Sequence, residues 1–390
     1  MGMIKRDLEN QVIKAAGQFP VVTITGPRQS GKSTLCKMLF PKHGYVNLEA
    51  PDVRRFALQD PRGFLHQFKN GAILDEIQRC PELPSYLQVM VDEDRTKGKW
   101  ILTGSQNLTL LESISQSLAG RTAVLHLLPL SYNEIQRFGQ DDADINKIIL
   151  TGGYPAILDQ KLPPADWHSS YVATYIERDI RNISKITDLA VFQRFVELCA
   201  GRTGQLLNLS SIAVDAGISQ PTAKAWINVL ETSFIIFRLP PFFSNLRKRL
   251  VKMPKLFFYD SGLVCWLLGI RTTEQLMNHP LRGAIFETWV ISEILKHRAN
   301  KGIQGGVFFY RDSHGQEIDL LIDNGDKFTI VEAKAGQTIS EDIIKTSLKY
   351  RTVVGKAKPA KTIIAYGGEM LNTINDVLFL PWDKIHEQLW

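Results

Sequence analysis

The sequence predicts an α/β protein that begins with a parallel sheet covered by helices on both faces. Over the first 130 residues, short apolar and β-branched runs alternate with helical stretches, and strands joined through helices pair in parallel. After Pro129 the pattern becomes mostly helical, and residues 280–390 alternate again as a mixed α/β region. The composition, with 44% hydrophobic and 22% charged residues, is that of a folded globular chain.

Five strands are expected in the first part of the chain. They are predicted at residues 21–25, 45–48, 72–74, 100–103 and 122–128. A helix is expected over residues 32–40, directly after a glycine-rich turn. The changes in pattern along the chain predict four domains, which are residues 1–130, 131–200, 201–260 and 261–390.

The composition also excludes several classes of protein. No apolar run approaches the roughly 18 residues that a membrane span needs, and the polar start of the chain has no apolar core of a secretory signal. The four cysteines, at positions 36, 80, 199 and 265, are too far apart for a zinc site or a CxxC redox pair. We therefore expect a cytoplasmic protein with free thiols and no membrane contact.

Positive charge is concentrated in one segment. The formal net charge is +6, and residues 238–255 contain basic residues but no acidic one. The basic residues are Arg238, Arg247, Lys248, Arg249, Lys252 and Lys255. Since they account for the whole net charge, this segment is the candidate contact for an anionic partner, and DNA is the partner we expect.

A phosphate-binding pattern lies between the first strand and the first long helix. Residues 26–33 fit G-x-x-x-x-G-K-[ST] without a departure. Backbone N–H groups of such a loop face phosphate oxygens, Lys32 would reach the β- and γ-phosphates, and Ser33 would bind Mg²⁺. A plain glycine-rich connector is the alternative. The candidate nucleotide-binding residues are Gly26, Pro27, Arg28, Gln29, Ser30, Gly31, Lys32, Ser33, Thr34 and Asp75.

A second apolar strand ends in two adjacent carboxylates, Asp75 and Glu76, which form a Walker B pattern. Asp75 is expected to hold Mg²⁺ through water or Ser33, and Glu76 to polarise the attacking water. A solvated helix cap is the alternative for two acids at a strand end, but the phosphate-binding pattern upstream favours the site. ATP and Mg²⁺ are thus the expected ligands.

Together these motifs resemble an AAA-type ATPase of the P-loop class. The resemblance implies that Ser105 or Thr103, at the end of the fourth strand, contacts the γ-phosphate or the water as sensor 1. It implies that Arg121 is an arginine finger for a neighbouring subunit, and that Arg178 and Arg181 are sensor-2 candidates. The respective alternatives are a strand-end turn, a surface arginine and helix-surface ion pairs.

Residues 205–255 resemble a winged-helix unit. A helix from Leu209, a tight turn at Gly217 and a second helix over residues 221–230 follow helix-turn-helix spacing, and residues 234–258 would form the wing. The unit could contact DNA or pack between domains. The second helix does not decide between them, because it is not strongly basic and its one basic residue is Lys224. The basic wing favours contacts to phosphates over contacts to bases.

The last domain contains three acidic residues and a lysine in the order of a nuclease core. Glu287 lies on a helix, Asp319 on a strand, and Glu332 and Lys334 on one face of the next strand. This set resembles the PD-(D/E)xK nucleases, most closely the archaeal Holliday-junction resolvases. The resemblance implies that Asp319 and Glu332 bind Mg²⁺ with Glu287 as an outer ligand, and that Lys334 orients or helps to deprotonate the attacking water. An amphipathic strand with a charged outer face is the alternative.

Two questions stay open for this set. His314 and Glu317 lie in the same loop region, and Glu317 shares a strand face with Asp319, which makes it a competing metal ligand. Cleavage is the second question, because nuclease-like folds also occur as inactive DNA-binding or scaffolding modules.

The layout as a whole resembles a prokaryotic family that joins an N-terminal AAA ATPase to a C-terminal domain of unknown function. The matching residues include Gly153-Tyr154-Pro155, Glu177-Arg178-Asp179 and Tyr259-Asp260-Ser261-Gly262. The resemblance implies a P-loop AAA-type parallel sheet with a helical lid, then a winged-helix unit and a mixed α/β nuclease-like domain. We expect an ATP-hydrolysing homo-oligomer, a hexameric ring, that remodels or translocates duplex or branched DNA. The alternative is a nucleotide-dependent switch whose C-terminal domains bind partner proteins.

Overall fold

The computed structural model describes residues 4–105, 117–139, 144–176, 188–242, 253–312, 315–338, 358–388 and 390. The chain divides into two compact units. The first comprises residues 1–130 with the short segments 232–234 and 298–303, and the second comprises the remainder.

The first unit is built on a five-stranded sheet whose paired strands are all parallel. Its strands are β1 Val21–Thr25, β2 Gly44–Asn47, β3 Ala72–Asp75, β4 Trp100–Gly104 and β5 Thr122–His126. The spatial order β2-β3-β4-β1-β5 places β4 between the strands that precede the two nucleotide motifs. The predicted α/β class and parallel sheet are thus confirmed, with strand ends that differ by one or two residues.

Helices cover both faces of this sheet, as the uninterrupted apolar strands predict. The helices are α1 Glu9–Ala16, α2 Lys32–Leu39, α3 Pro51–Gln59, α4 Pro61–His66 and α5 Leu83–Glu93. Residues of α1 and α2 pack with Val22 and Ile24 of β1 on one face. Residues of α3, α4 and α5 share the other core with Val21. Successive strand residues face opposite sides, so both faces of β1 are buried.

The second unit begins with helices, as predicted for the region after Pro129. They are α6 Tyr132–Gln136, α7 Ile145–Thr151, α8 Pro155–Asp159, α9 Pro164–Tyr171 and α10 Leu189–Ala200. A single π-helical turn over Val172–Ile176 continues α9. The next pair, α11 Leu209–Ala216 and α12 Gln220–Thr232, is joined through Gly217 at φ 71°, which is the left-handed conformation of a helix end. An antiparallel hairpin, β6 Ile236–Leu239 and β7 Lys255–Phe258, follows the pair.

Two sequence motifs that the family resemblance had singled out meet within this unit. The Asp260 carboxylate accepts hydrogen bonds from the Gly153 N–H at 2.7 Å and from the Leu263 N–H at 2.9 Å. The second bond caps the helix α13 Ser261–Leu267. A side chain at Gly262 would approach the Thr151 carbonyl oxygen to 2.8 Å. Both motifs therefore serve to pack α7 against α13 closely.

The chain ends in a mixed six-stranded sheet preceded by the helices α14 Thr273–Asn278 and α15 Arg282–Asn300. Its strands are β8 Val307–Arg311, β9 Glu317–Asp323, β10 Phe328–Lys334, β11 Ala360–Tyr366, β12 Asn372–Ile374 and β13 Val377–Pro381. Strands β8, β9 and β10 pair antiparallel, whereas β11 is parallel to β10. The predicted C-terminal mixed α/β region is confirmed.

Two smaller expectations concern the thiols and the membrane. All four cysteines are free and buried. Among the helices of the described ranges, none is long and apolar enough to cross a bilayer.

Candidate nucleotide site and C-terminal carboxylate cluster

The backbone of the phosphate loop, which we define as residues 26–33, requires its two glycines. Gly26 has φ 151°, and a β-carbon there would lie 2.1 Å from the Leu127 carbonyl oxygen. Gly31 has φ 93° and is the residue before α2, and no side chain caps this helix within the described residues. The first N–H groups of α2 therefore remain directed at the loop, which is the geometry of an anion site.

Lys32 is buried and donates to the carbonyl oxygens of Gly26 at 3.0 Å and Pro27 at 2.7 Å. Burial lowers the pKa of Lys32 to about 8, although the charges of Glu76 and Asp75 act in the opposite direction. The ammonium group thus loses its proton more readily than that of an ordinary lysine, and a phosphate beside it would stabilise its charged form.

Asp75, at the end of β3, accepts hydrogen bonds from three hydroxyl groups. The Ser33 Oγ lies 2.7 Å and the Tyr45 hydroxyl 2.7 Å from Asp75 Oδ2, and Thr103 Oγ1 donates to Oδ1. Ser33 and Asp75 were predicted as the Mg²⁺ pair, and the structure places their oxygens together. Tyr45 was not predicted, because nothing in the sequence relates β2 to the end of β3.

Glu76 directly follows Asp75 and adopts φ 57°, a left-handed conformation that is unfavourable for a residue with a side chain. Its Oε2 accepts a hydrogen bond from Ser105 Oγ at 3.1 Å and another from Gln78. The sequence left Thr103 and Ser105 open as the sensor residue. In the structure Thr103 donates a hydrogen bond to Asp75, whereas Ser105 donates one to Glu76.

Arg6 is a contributor to this site that sequence reasoning missed. Its buried guanidinium donates to the Ser30 carbonyl oxygen at 2.6 Å and to the Leu128 carbonyl oxygen at 2.9 Å. It thereby ties the phosphate loop to the segment after β5. No local pattern around Arg6 marks this role, since its partners lie 24 and 122 residues away along the chain.

The remaining predicted residues of this site include two arginines in ion pairs and one exposed threonine. Arg28 forms an ion pair with Glu49 at 2.9 Å, and Thr34 is exposed in the first turn of α2. Arg121 lies before β5, at the sheet edge opposite the phosphate loop, and pairs with Asp92 at 2.7 and 2.8 Å. Arg178 and Arg181 lie outside the described residues.

The residues present fit a magnesium nucleotide. The uncapped helix start offers N–H groups, Ser33 and Asp75 offer adjacent oxygens, and the buried Ser30 Oγ has no hydrogen-bond partner within the described residues. Oxygen ligands of this type suit Mg²⁺, which retains several of its waters.

A second group of charged residues, here called the carboxylate cluster, lies in the second unit. It consists of Glu287, Glu317, Asp319 and Glu332 with Lys255 and Lys334. Lys255 Nζ lies 2.9 Å from Glu287 Oε1 and is also paired with Glu317, and its side chain is 2% exposed. Burial alone would lower the pKa of Lys255, but the charges of Glu287, Asp319 and Glu317 outweigh burial and raise it.

The other half of the carboxylate cluster contains the residues predicted for nuclease chemistry. Lys334 Nζ lies 2.9 Å from Glu332 Oε2 and 3.9 Å from Asp319 Oδ2, and the Ala333 N–H donates to Asp319 at 2.9 Å. Burial, followed by the charge of Asp319, raises the pKa of Glu287 to about 8 and that of Glu332 to about 8. Four acids face two lysines here, so the acids outnumber their cationic partners.

This arrangement does not fit the predicted metal site at Glu287, Asp319 and Glu332. Within the described part of the chain, no three acidic, histidine or cysteine side chains are grouped as metal ligands. The physical reason is that lysine ammonium groups bond Glu287 and Glu332 and neutralise part of their charge. His314 lies outside the described residues.

Two of the six basic residues of the segment 238–255 lie in the described part of the chain. Lys255 is buried in the carboxylate cluster, so its expected contact with DNA phosphates is corrected. Arg238 pairs with Glu231 on the preceding helix. Four other residues of the segment, Arg247, Lys248, Arg249 and Lys252, lie outside the described residues.

Comparison with family models divides the chain into three matches. Residues 18–136 match a model described as AAA domain. Residues 142–274 and 282–385 match two models described as domains of unknown function, DUF8612 and DUF4143. The first of these two spans the predicted lid and winged-helix unit together.

Individual relatives cover most of the chain. An uncharacterized protein of Mycobacterium tuberculosis is 28% identical over 98% of this chain and 84% of its own length. An uncharacterized protein of Methanocaldococcus jannaschii is 21% identical over 82% of this chain and 75% of its own length. The solved Walker-type ATPase of Pyrococcus abyssi is similar with a TM-score of 0.42 and 16% identity, over 68% of this chain and 96% of its own. The match to the AAA model, together with the geometry of the phosphate loop and Asp75, supports a P-loop ATPase of the AAA type for residues 18–136.

Proposed function

We propose that this protein hydrolyses ATP at the phosphate loop of its first unit. The observation that carries the proposal is the Ser33–Asp75 oxygen pair at 2.7 Å beside an uncapped helix start, with Glu76 as the next residue. Backbone N–H groups bind the phosphates, and Lys32 turns from the Gly26 and Pro27 carbonyls to the phosphate oxygens. Ser33 and Asp75 would hold Mg²⁺, which would supply neutralisation of the charge that develops on the phosphates.

Glu76 is the group we assign to the attacking water. The water oxygen forms a bond to the γ-phosphorus, the bond to the bridging oxygen of ADP breaks, and the Glu76 carboxylate accepts the proton of the water. The hydrogen bonds from Ser105 and Gln78 fix the orientation of Glu76. Its left-handed backbone keeps the carboxylate at the strand end, beside Asp75.

We further propose that Arg121 completes the site of a neighbouring subunit. It precedes β5, whereas the phosphate loop follows β1, and the two strands run parallel with Val21 beside Thr122. Arg121 is therefore at the wrong edge of the sheet for its own loop. A finger in trans would be worth about 10³–10⁵-fold in rate.

Subunit mixing tests this assignment. Arg121→Ala chains retain Glu76, and Glu76→Gln chains retain Arg121, so mixed oligomers should recover hydrolysis at the hybrid interfaces. Each variant alone should be inactive. A monomer that hydrolyses ATP at the full rate would contradict the oligomer.

DNA is the substrate we propose for the oligomer, which would remodel or translocate it. Support comes from the helix pair α11–α12 with its hairpin, and from the C-terminal topology of a helix, three antiparallel strands and one parallel strand. This topology accords with the nuclease-like resemblance, but the carboxylate cluster is neutralised by lysines. We therefore assign the domain to holding DNA without cleaving it.

The alternative of a nucleotide-dependent switch is favoured by one observation. Both described residues of the basic segment, Arg238 and Lys255, are paired with carboxylates of the chain itself. If the other four residues are likewise neutralised, the C-terminal domains bind partner proteins instead of DNA.

An ATPase assay with duplex, junction and single-stranded DNA separates these two functions. We expect the rate to rise severalfold with DNA and DNA affinity to fall steeply with salt. A variant with Arg247, Lys248, Arg249 and Lys252 changed to alanine should lose the stimulation. The exposed set Lys14, Lys42, Arg62 and Lys69 changed to alanine is the charge-matched control. No response to any DNA would favour the switch, and cleavage with Mg²⁺ would contradict the assignment to holding alone.

A further inference from the structure

We propose that Lys255 is the resident cation of the carboxylate cluster, and that its ammonium group occupies the place of a divalent metal. The inference concerns the metal chemistry of the C-terminal domain. It is independent of the ATPase proposal, and it deepens the assignment of this domain to holding DNA without cleaving it.

The position of the ammonium group is the first argument. Lys255 Nζ lies 2.9 Å from Glu287 Oε1 of helix α15 and is also paired with Glu317 of strand β9. Glu317 and Asp319 share one face of β9 because they are two residues apart. The ammonium group thus bridges the helix acid Glu287 and the strand acid Glu317, on the strand face that also carries Asp319, a predicted metal ligand.

The backbone also holds this lysine in place. Lys255 begins β7 and bridges to Leu206, and the next residue, Leu256, bonds with the 204–205 segment in both directions. The Leu256 N–H donates to the Gln205 carbonyl at 2.9 Å, and the Gly204 N–H donates to the Leu256 carbonyl at 2.7 Å. The side chain is 2% exposed, with Phe257 and Phe309 rings 5.9 and 5.8 Å from Nζ. The ammonium group is therefore almost fully shielded from solvent within the described part of the chain.

An ammonium group and a divalent metal ion bind carboxylate oxygens at different distances. Mg²⁺ and similar ions need carboxylate oxygens at about 2.0–2.1 Å in octahedral geometry, whereas an ammonium group satisfies them by hydrogen bonds of about 2.9 Å. Both cations cannot occupy one space. At the other end of the carboxylate cluster, Lys334 bonds Glu332 and lies 3.9 Å from Asp319. The acids are thus neutralised by side chains from two directions.

Binding of Mn²⁺ to the full-length, nucleotide-free chain tests the proposal. Bound ion per chain would be counted by electron paramagnetic resonance for wild type, Lys255→Met, Asp319→Asn and Lys255→Met/Asp319→Asn. Up to about 1 mM free Mn²⁺, wild type and Asp319→Asn should bind equally, because any ion at the phosphate loop is common to both. Lys255→Met should bind one additional ion per chain, and the double variant should lose it.

Lys296→Met is the matched control. Lys296 is 4% exposed and lies 2.9 Å from Glu293 of the same helix α15, so its removal also takes the ammonium partner from a buried carboxylate. It should not create a metal site, because Glu293 is not part of the carboxylate cluster.

Two results would overturn the proposal. One is a wild-type Mn²⁺ site that Asp319→Asn removes, since the ammonium group would then not exclude the ion. The other is a folded Lys255→Met chain that binds no more Mn²⁺ than wild type. If Lys255→Met fails to fold, Lys255→Met/Glu317→Gln reduces the uncompensated charge and is measured in its place, while the wild-type comparison remains decisive.

Discussion

Two regions of this chain combine a buried lysine with nearby carboxylates, and they arrange these groups in opposite ways. At the phosphate loop, Lys32 donates to the carbonyl oxygens of Gly26 and Pro27, and Asp75 is bonded by hydroxyl groups. In the carboxylate cluster, Lys255 bonds directly to Glu287. Burial lowers the pKa of Lys32 to about 8, whereas neighbouring charges outweigh burial and raise the pKa of Lys255.

The difference teaches that residue types alone do not decide whether a site takes a cation. An ammonium group bonded to carbonyl oxygens leaves the carboxylates available for a metal and can itself turn to a phosphate. An ammonium group bonded to carboxylates neutralises them and occupies the space that a metal ion would need. The comparison yields three predictions.

The first prediction concerns ATP turnover at the phosphate loop, where Glu76 is proposed to be catalytic. Glu76→Gln should lower ATP turnover by about 10²–10⁴-fold and leave nucleotide binding intact, because an amide cannot accept the proton of the water. Single-turnover phosphate release and equilibrium nucleotide binding would measure both. Glu82→Gln, at an exposed acid nearby, is the control and should change neither. Normal turnover in Glu76→Gln would remove the assignment.

The second prediction contrasts the two lysines in stability. Lys255→Met should lower the free energy of unfolding by about 3–5 kcal/mol, because it leaves buried carboxylates without their counter-charge. Lys32→Met should change stability by about 1 kcal/mol or less in the nucleotide-free protein, since its ammonium group has neutral partners and a lowered pKa. Hydrogen exchange of peptides from α15 and α2 would report the two regions separately. Equal losses in both variants would break the comparison.

The third prediction is an opposite dependence of stability on pH. Glu287 and Glu332 have raised pKa values of about 8, so the folded state holds their protons more tightly, and local stability should fall as pH rises from 4.5 to 8. Lys32 has a lowered pKa, so stability around α2 should rise between pH 8 and 10.5. Each slope is at most about 1.4 kcal/mol per pH unit for each proton.

The double variant Glu287→Gln/Glu332→Gln should abolish the fall in the local stability of α15 between pH 4.5 and 8, measured by denaturant-dependent hydrogen exchange of α15 peptides. The rise in stability around α2 between pH 8 and 10.5 should remain unchanged. A slope of the opposite sign around α15 would show that the carboxylate cluster is fully ionised.

Local signals in the sequence predict the strands and the nucleotide motifs of the first unit. The strand at Val21–Thr25, the glycines at 26 and 31, and the pair Asp75 and Glu76 are local signals, because strand ends and tight turns depend on a few adjacent residues. Parallel pairing then brings the carboxyl ends of β1 and β3 to one edge, so Ser33 and Asp75 meet without further information. Their roles in hydrolysis remain predictions.

The partners of the buried charged groups, by contrast, depend on the three-dimensional fold. Arg6 bonds a carbonyl 122 residues away, and Lys255 reaches Glu287 and Glu317 across two strands and a helix. In the sequence, Lys255 is the last of six basic residues and predicts an exposed phosphate contact. The fold instead buries it because four acids gather at one place in the second unit and require a counter-charge there, and no local pattern records that requirement.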